Sequence, residues 1–538
     1  MKKLSLLLVV VLVISMFAGC SNNSTNTNTN TPNNTSNETN VADSKSANEP
    51  KQGGTFVVSV AKEAQTYNPD AQSDDGAYIV IQNVFNKLVK INGNDQVVPD
   101  LAKNWEFSED AKTITFNLHE NVKWHDGTDF SSNDVKWTFE QIINEKGFAS
   151  SSLSDIEEIT CPDKNTVQIK LKSPNAGMLG YIAWFGTYIM PAHIYEGTDW
   201  LTNEANQSPI GTGPFKFVEH KKGQSVTIEK NENYWGDKPY LDKIIYMIMP
   251  DQNTAYQAWL NGDVDEIRNG VPANEVSKYE NNAKYNVYTK LWPNKGYVLF
   301  NVKEGKFADL KLRQAVAYGI NRDEIFNKAL KGIGLKAEYF ISPLYTWALN
   351  EDAKLPERDI EKAKSLIEEA GYTKDENGFY FTTTIDTFPG FEDVVEVLKS
   401  NFKEFGVDLQ INAMDDASYD EKVWFGHDFE LTILGGYQGP DISAMASRFS
   451  ADGSMNLGEY KNDRLEELFK QGVVATEIED RAPIYKEIQT IMSQDLPAVF
   501  LNEKGSKIVV KSYVKGHPAG DVLEKASEAE FTYVWLDK

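Results

Sequence analysis

The chain reads as an α/β protein of more than one lobe. Stretches rich in β-branched residues alternate with helical stretches along most of its length, the order expected of strands covered by helices. Its 538 residues are too many for one ordinary core, so two or three lobes are expected. The 24 Tyr and 11 Trp supply large flat side chains for cores of that size.

The first fifty residues stand apart from this body. Lys2 and Lys3 precede an apolar run from Leu4 to Ala18, short of the roughly 20 apolar residues that a spanning helix needs, so it reads as an export signal. Gly19 and Cys20 close the run. A cysteine there resembles a bacterial lipobox, with Phe17 where that pattern usually has Leu. The resemblance implies a signal peptide over 1–19, a lipidated Cys20 and a lipid anchor to the cell membrane, outside the cytoplasm. An ordinary secreted protein cut near Ala18 is the other reading. Residues 20–50 are mostly Asn, Thr and Ser and cannot bury enough surface to offset their ordering entropy, so a disordered tether is expected. Thirty flexible residues span roughly 30 Å.

The body opens with a strand at Gly53–Val60, and a helix is expected over Ala77–Val89 with Ile79, Val80, Val84, Phe85 and Leu88 on its apolar face. Strands at Thr113–Leu118 and Val122–Trp124 follow. Ser131-Ser132-Asn133-Asp134 then caps a helix reaching about Asn144. Further strands are expected at Asn165–Leu171, Phe215–Val218, Gln224–Glu229 and Lys243–Ile248, and a helix at Asp251–Leu260. Lys284–Asn301 is one long extended stretch. Helices at Leu310–Tyr318, Arg322–Ala329 and Ile360–Ala370 come next, then strand, helix and strand at Phe379–Ile385, Glu392–Phe405 and Asp408–Ala413. A strand at Phe429–Leu434 and helices at Arg464–Val473 and Ile484–Met492 lead to a strand at Ala498–Leu501 and a β-rich tail.

The formal charge is −25, and cutting off Lys2 and Lys3 with the signal takes it to −27. Such a surface argues against nucleic acid and against lying flat on an anionic membrane. Cys20 and Cys161 are the only cysteines, so the body has no disulfide framework. Cys161 is expected as a small buried filler beside the turn at Pro162-Asp163-Lys164-Asn165. No second long apolar run exists.

Several blocks in order carry a family resemblance. They are Pro99-Asp100-Leu101-Ala102 before Trp105, Trp124-His125-Asp126-Gly127, and Pro209-Ile210-Gly211-Thr212-Gly213-Pro214-Phe215. Asn231-Glu232-Asn233-Tyr234-Trp235, Asn261-Gly262-Asp263-Val264-Asp265, Leu312-Arg313-Gln314-Ala315 and Gly406-Val407-Asp408-Leu409 continue the series. Together they resemble the family-5 solute-binding proteins of bacterial ABC importers, which include dipeptide-, oligopeptide- and nickel-binding members, over essentially residues 51–538. The resemblance implies a two-lobe, periplasmic-binding-protein-like clamshell of the class II type. The first lobe would comprise 51–297 plus 504–538, with an inserted subdomain at about 89–205, and the second lobe 298–503. It implies a monomeric receptor that closes on its ligand and delivers it to the transmembrane permease subunits, with no cofactor.

Peptide-binding members hold the ligand's ammonium with an acid just after a Gly/Trp-rich strand end. Here Gly435 and Gly436 run into Tyr437 and Gln438, which are neutral, and Asp441 follows as a ligand residue or a helix N-cap. Asp74, Asp75 and Tyr78 sit where family members bring groups to the cleft. Trp184, Phe185, Tyr188, Trp292, Trp347 and Trp424 are aromatic candidates that could stack on sugars or line side-chain pockets. The expected site is therefore Asp75, Tyr78, Trp184, Tyr188, Trp292, Trp347, Trp424, Gly436, Tyr437, Gln438 and Asp441. An oligopeptide is the leading ligand; an oligosaccharide or other neutral solute comes second and a nickel chelate third. The six histidines show no metal-ligand spacing. No Gly-x-Ser-x-Gly, His-Glu-x-x-His or Cys-x-x-Cys motif supports the remaining alternative, a tethered hydrolase.

Overall fold

A computed structural model describes residues 49–71, 75–147 and 149–538. The signal segment, Cys20, nearly all of the expected tether and Asp74 lie outside the described residues. Pro50–Lys538 forms one compact unit. It contains two large cores, one for each lobe of an α/β clamshell.

The first core gathers side chains from two sheets. A five-stranded sheet runs in the order Glu266–Ile267, Thr55–Val60, Lys243–Ile248, Ser225–Lys230, Phe215–Lys221. A four-stranded antiparallel sheet runs Ala102–Phe107, Thr113–Leu118, Thr166–Leu171, Ile156–Asp163. Alternation explains the second sheet: Ile114, Phe116 and Leu118 point inward while Thr113, Thr115 and Asn117 face outward. These side chains share one core with Phe56 and Val58 of the first sheet. The second core runs from Tyr297 to Leu501. Its six-stranded sheet has the order Leu335–Lys336, Ala498–Lys511, Tyr285–Phe300, Leu431–Tyr437, Phe381–Thr387, Val407–Ala413.

Helix α1 (Asp75–Val84) stops short of the expected Val89, and the Gly211/Gly213 loop is the reason. Gly213 N–H donates to the Val84 carbonyl at 2.9 Å, terminating the helix. A Cβ on Gly211 would lie 1.8 Å from that same carbonyl oxygen, so only glycine permits the approach. His125 clasps the loop: Nδ1 accepts from Gly211 N at 3.2 Å and Nε2 lies 3.0 Å from Gly213 O. Burial pushes the His125 imidazole down to about 4, so it is neutral near pH 7. Asn83 ties the chain's tail to α1 by donating to Ala529 O and accepting from Phe531 N.

Helix α2 (Ser132–Glu145) opens with the capping box of Ser131 and Asp134. Other expectations needed correction. Val122–Trp124 is not a strand, since only an isolated bridge from Lys123 to Asp129 forms there. The tail beyond Lys511 is mostly turns, with two short strands at Val514–Lys515 and Trp535–Leu536. Cys161 is half-buried rather than a core filler; it lies within the strand Ile156–Asp163, which the sequence concealed, and its Sγ donates to Ser132 O at 3.3 Å. Arg313 is structural, donating to the carbonyls of Phe307, Ala308 and Asp495. Among the described residues no helix is long and apolar enough to cross a membrane.

Tyr285–Phe300 and Ala498–Lys511 join the two lobes. They pair antiparallel from Tyr285↔Lys511 to Leu299↔Ala498, with irregular register between Leu291 and Lys295. Pro293, which has no N–H for the ladder, lies in the irregular part. Beside it Lys295 and Glu503 form an ion pair, with Lys295 fully buried. Lys295 Nζ also donates to Tyr339 O at 2.9 Å. Burial depresses the Lys295 ammonium and raises the Glu503 carboxyl, so desolvation outweighs their attraction. Lys295→Met strands a buried carboxylate and should destabilise the protein by roughly 3–5 kcal/mol. Lys295→Met combined with Glu503→Leu should return to within about 1 kcal/mol of wild type in urea denaturation. Equal losses in the single and double variants would contradict this account.

Candidate functional site

The first lobe contributes a hollow of about 440 Å³ at the start of α1, where the crossing strand and the tail meet. Asp75 and Tyr78 come from α1, Trp292 from the crossing strand and Glu528 from the tail. Arg268 lies between the two carboxylates. Its Nε and Nη2 reach Asp75 Oδ1 at 3.1 and 3.0 Å, and Nη2 reaches Glu528 Oε1 at 3.0 Å. Trp292 Nε1 donates to Glu528 Oε2 at 3.2 Å. Burial works against the Glu528 charge, yet Arg268 and then Lys290 hold its carboxyl below the usual range. Phe185 closes one side by stacking on Tyr78, with ring centroids 4.2 Å apart.

The second lobe contributes the end of the Leu431–Tyr437 strand and the loop after it. Gln438 N donates to Pro293 O at 2.6 Å, which pins this loop to the crossing strand. The Gln438 side chain is buried and turns back on Gly436 O at 3.3 Å. Arg448 holds the Tyr437 carbonyl at 2.8 Å. Tyr437 therefore projects from a fixed backbone, and its ring stacks on Trp184 of the first lobe at 5.2 Å with planes 6° apart.

Two further contacts join the lobes beside this stack. Ala176 N donates to Val473 O at 2.7 Å. Helix α3 (Met178–Ile182) and its N-cap Gly177 lie against Pro440, Asp441 and Ser443. A Cβ on Gly180 would come within 2.5 Å of Pro440 O, so glycine allows the backbones to meet.

The expected residues divide accordingly. Asp75, Tyr78 and Trp292 line the hollow, and Trp184 and Tyr437 meet beside it. Gly436 and Gln438 shape the loop that presents Tyr437. Tyr188 is buried behind Tyr78 beneath the Lys87 ammonium, which lies 4.5 Å from its ring, so it supports the wall instead of lining it. Asp441 is committed elsewhere: Arg481 takes both its oxygens, at 3.1 and 2.6 Å, and Oδ1 caps Ser443 N. Trp347 packs on Arg481, 5.1 Å from ring centroid to guanidinium carbon. Trp424 is half-buried against the second core and lines none of these surfaces. Sequence reasoning missed Arg268 and Glu528, which no local pattern marks.

Other hollows have different characters. One of about 830 Å³ lies at the far end of the second lobe, but most of its charged side chains already pair internally, as in Lys306–Glu430 and Lys422–Asp386, and His427 bonds Glu459. A more apolar one of about 460 Å³ lies where Gly296 and Gly505 meet Phe388 and Phe391. Among the described residues, no group of three or more His, Cys, Asp or Glu could hold a metal ion.

Comparison with known proteins agrees with this architecture. The family model for bacterial extracellular solute-binding proteins, family 5 Middle, matches residues 96–456. The dipeptide-binding protein of Escherichia coli is 27% identical, with 87% of this chain and 92% of that protein covered. The oligopeptide-binding protein AppA of Bacillus subtilis is also 27% identical, covering 90% and 93%. The crystal structure of the ABC transporter substrate-binding protein CtaP from Listeria monocytogenes superimposes with a TM-score of 0.77 at 25% identity, covering 91% of this chain and 100% of that one. The chain belongs to the bacterial extracellular solute-binding proteins of family 5.

Proposed function

We propose that this protein is the receptor of an ABC importer, lipid-anchored through Cys20, that takes up peptides between its lobes and delivers them to the permease. The observation that carries this reading is the aromatic-walled hollow of the first lobe, set directly beside the Trp184–Tyr437 contact with the second. Two relatives matched along nearly their whole length are named for dipeptide and oligopeptide binding, which supports peptide as the ligand class. The lobes are taken as 51–297 with 504–538, and 298–503.

Lobe closure follows from which contacts depend on it. The Trp184–Tyr437 stack, the Ala176–Val473 hydrogen bond and the approach of Gly180 to Pro440 all require the lobes to be together. Each is modest; an aromatic pair is worth about 0.5–1.5 kcal/mol beyond its buried area. A ligand touching both sides adds to these contacts only in the closed form, and that differential affinity shifts the population.

Two measurements test this. Native mass spectrometry of Pro50–Lys538, followed by denaturation, should release masses built from amino-acid residues; hexose-spaced masses or one discrete small molecule would replace peptide with a neutral solute. Gly180→Val should wedge α3 off Pro440, raising the radius of gyration in small-angle scattering and weakening ligand binding by about tenfold or more, equal to about 1.4 kcal/mol. An unchanged radius with unchanged affinity would remove the closure mechanism.

A further inference from the structure

The more apolar hollow, of about 460 Å³, lies on the same sheet face as the site beside the lobe junction. Three strands establish this. Side chains alternate between faces along a strand, so Asn502, Lys504, Ser506 and Ile508 share one face of Ala498–Lys511. The first two line the apolar hollow, and the last two line the hollow of the first lobe. Gly296 of the crossing strand pairs with Asn502 on one side and with Gly435 on the other. Ile433, Gly435 and Tyr437 therefore continue the face along the third strand. Ile433 lines the apolar hollow, the Phe391 ring covers Gly435, and Tyr437 meets Trp184 of the first lobe. From Ser506 to Asn502 is about 13 Å at the rise of a strand.

The walls of this hollow are apolar and only partly covered. Leu330, Ile333, Phe388 and Phe391 form them, and all four are half-buried. The aromatic wall is fixed: Phe388 and Phe391 meet edge to face at 5.1 Å, and Phe388 packs on Tyr419 at 4.6 Å. Asn502 supplies a polar group inside. It is only 7% exposed, and among the described residues its side-chain amide makes no hydrogen bond. Enclosing an amide without a partner is costly, and this one offers both donor and acceptor, the pattern that a peptide unit complements. The exposed Lys504 stands at the rim, where its charge disfavours a ligand cation.

We propose that the apolar hollow is a specificity subsite that takes one large apolar side chain of the bound peptide, with the Asn502 amide holding the neighbouring peptide unit. The assignment rests on the peptide reading above and sharpens it to oligopeptides, since an extended chain needs about five residues to reach from one hollow to the other. Removal of the side chain from water drives its entry, and Lys504 turns lysine and arginine side chains away.

The test uses four pentapeptide pools on the Pro50–Lys538 unit. All are built from alanine and serine, and they carry one Phe, one Leu, one Lys or none of these, placed at every position in turn. Wild type should retain the Phe and Leu pools about tenfold or more over the plain pool, with no such gain for Lys. Ile333→Trp, which fills the hollow, should abolish the gain and leave the plain pool's affinity unchanged. Ile333→Asp should lose the Phe preference and bind the Lys pool about threefold or more tighter than wild type does, a reversal that structural damage does not produce. Asn502→Ala should weaken all four pools about threefold or more and keep their order; unchanged affinity would overturn the role given to Asn502. Equal retention of the four pools by wild type, or a Phe preference that survives Ile333→Trp, overturns the proposal and leaves the peptide reading intact. Failure of wild type to retain any pool overturns the peptide reading and the proposal with it.

Discussion

Both lobes depend on the pairing of two long strands, Tyr285–Phe300 and Ala498–Lys511, whose middle contains the buried ion pair Lys295–Glu503. Both strands reach both cores: Ile508 and Val510 belong to the first, against which Tyr288 packs, and Val298, Phe300, Val499 and Leu501 belong to the second. A slip of one residue would turn these side chains to the wrong face in two cores at once. Glu503 lies opposite Lys295, and a slip would leave both charges buried without partners. Gly296 adds a steric stop, since a Cβ there would lie 2.5 Å from Asn502 Oδ1. An apolar pair would be more comfortable in such a place, so the ion pair's contribution is to register more than to stability.

From that fixed ribbon the site is built outward. Pro293, next to the ion pair, gives up its place in the ladder, and its carbonyl takes the N–H of Gln438. The loop presenting Tyr437 is thus anchored to the same strand that contributes Trp292 to the first lobe's hollow. Arg268, Asp75 and Glu528 then form a charged floor whose members hold one another in place. The arrangement is mostly pre-formed.

Much of this organisation was legible in the sequence. Asn165–Leu171 announced itself by its alternating Val167, Ile169 and Leu171, and the helix start at Ser132 by the capping run Ser131-Ser132-Asn133-Asp134. The conformation of the blocks around His125 and Gly211-Thr212-Gly213 was not legible, because their function is to meet each other and the end of α1. Helical periodicity alone would have carried α1 past Val84; a loop more than a hundred residues downstream stops it. The site was less accessible still. Arg268 joins Asp75 across 193 residues and Glu528 across 260, distances over which no spacing rule operates. Asp441, past a strand end, reads as a ligand residue or a helix N-cap and is the cap, while Trp347 is a candidate only as an aromatic of the second lobe; Arg481 takes up both.

The measurement that bears most directly on the account is a crystal structure of the Pro50–Lys538 unit grown with a peptide that it retains. The account predicts the peptide between the lobes, with Trp184, Trp292 and Tyr437 beside it. A peptide seated in the hollow at the far end of the second lobe would contradict it.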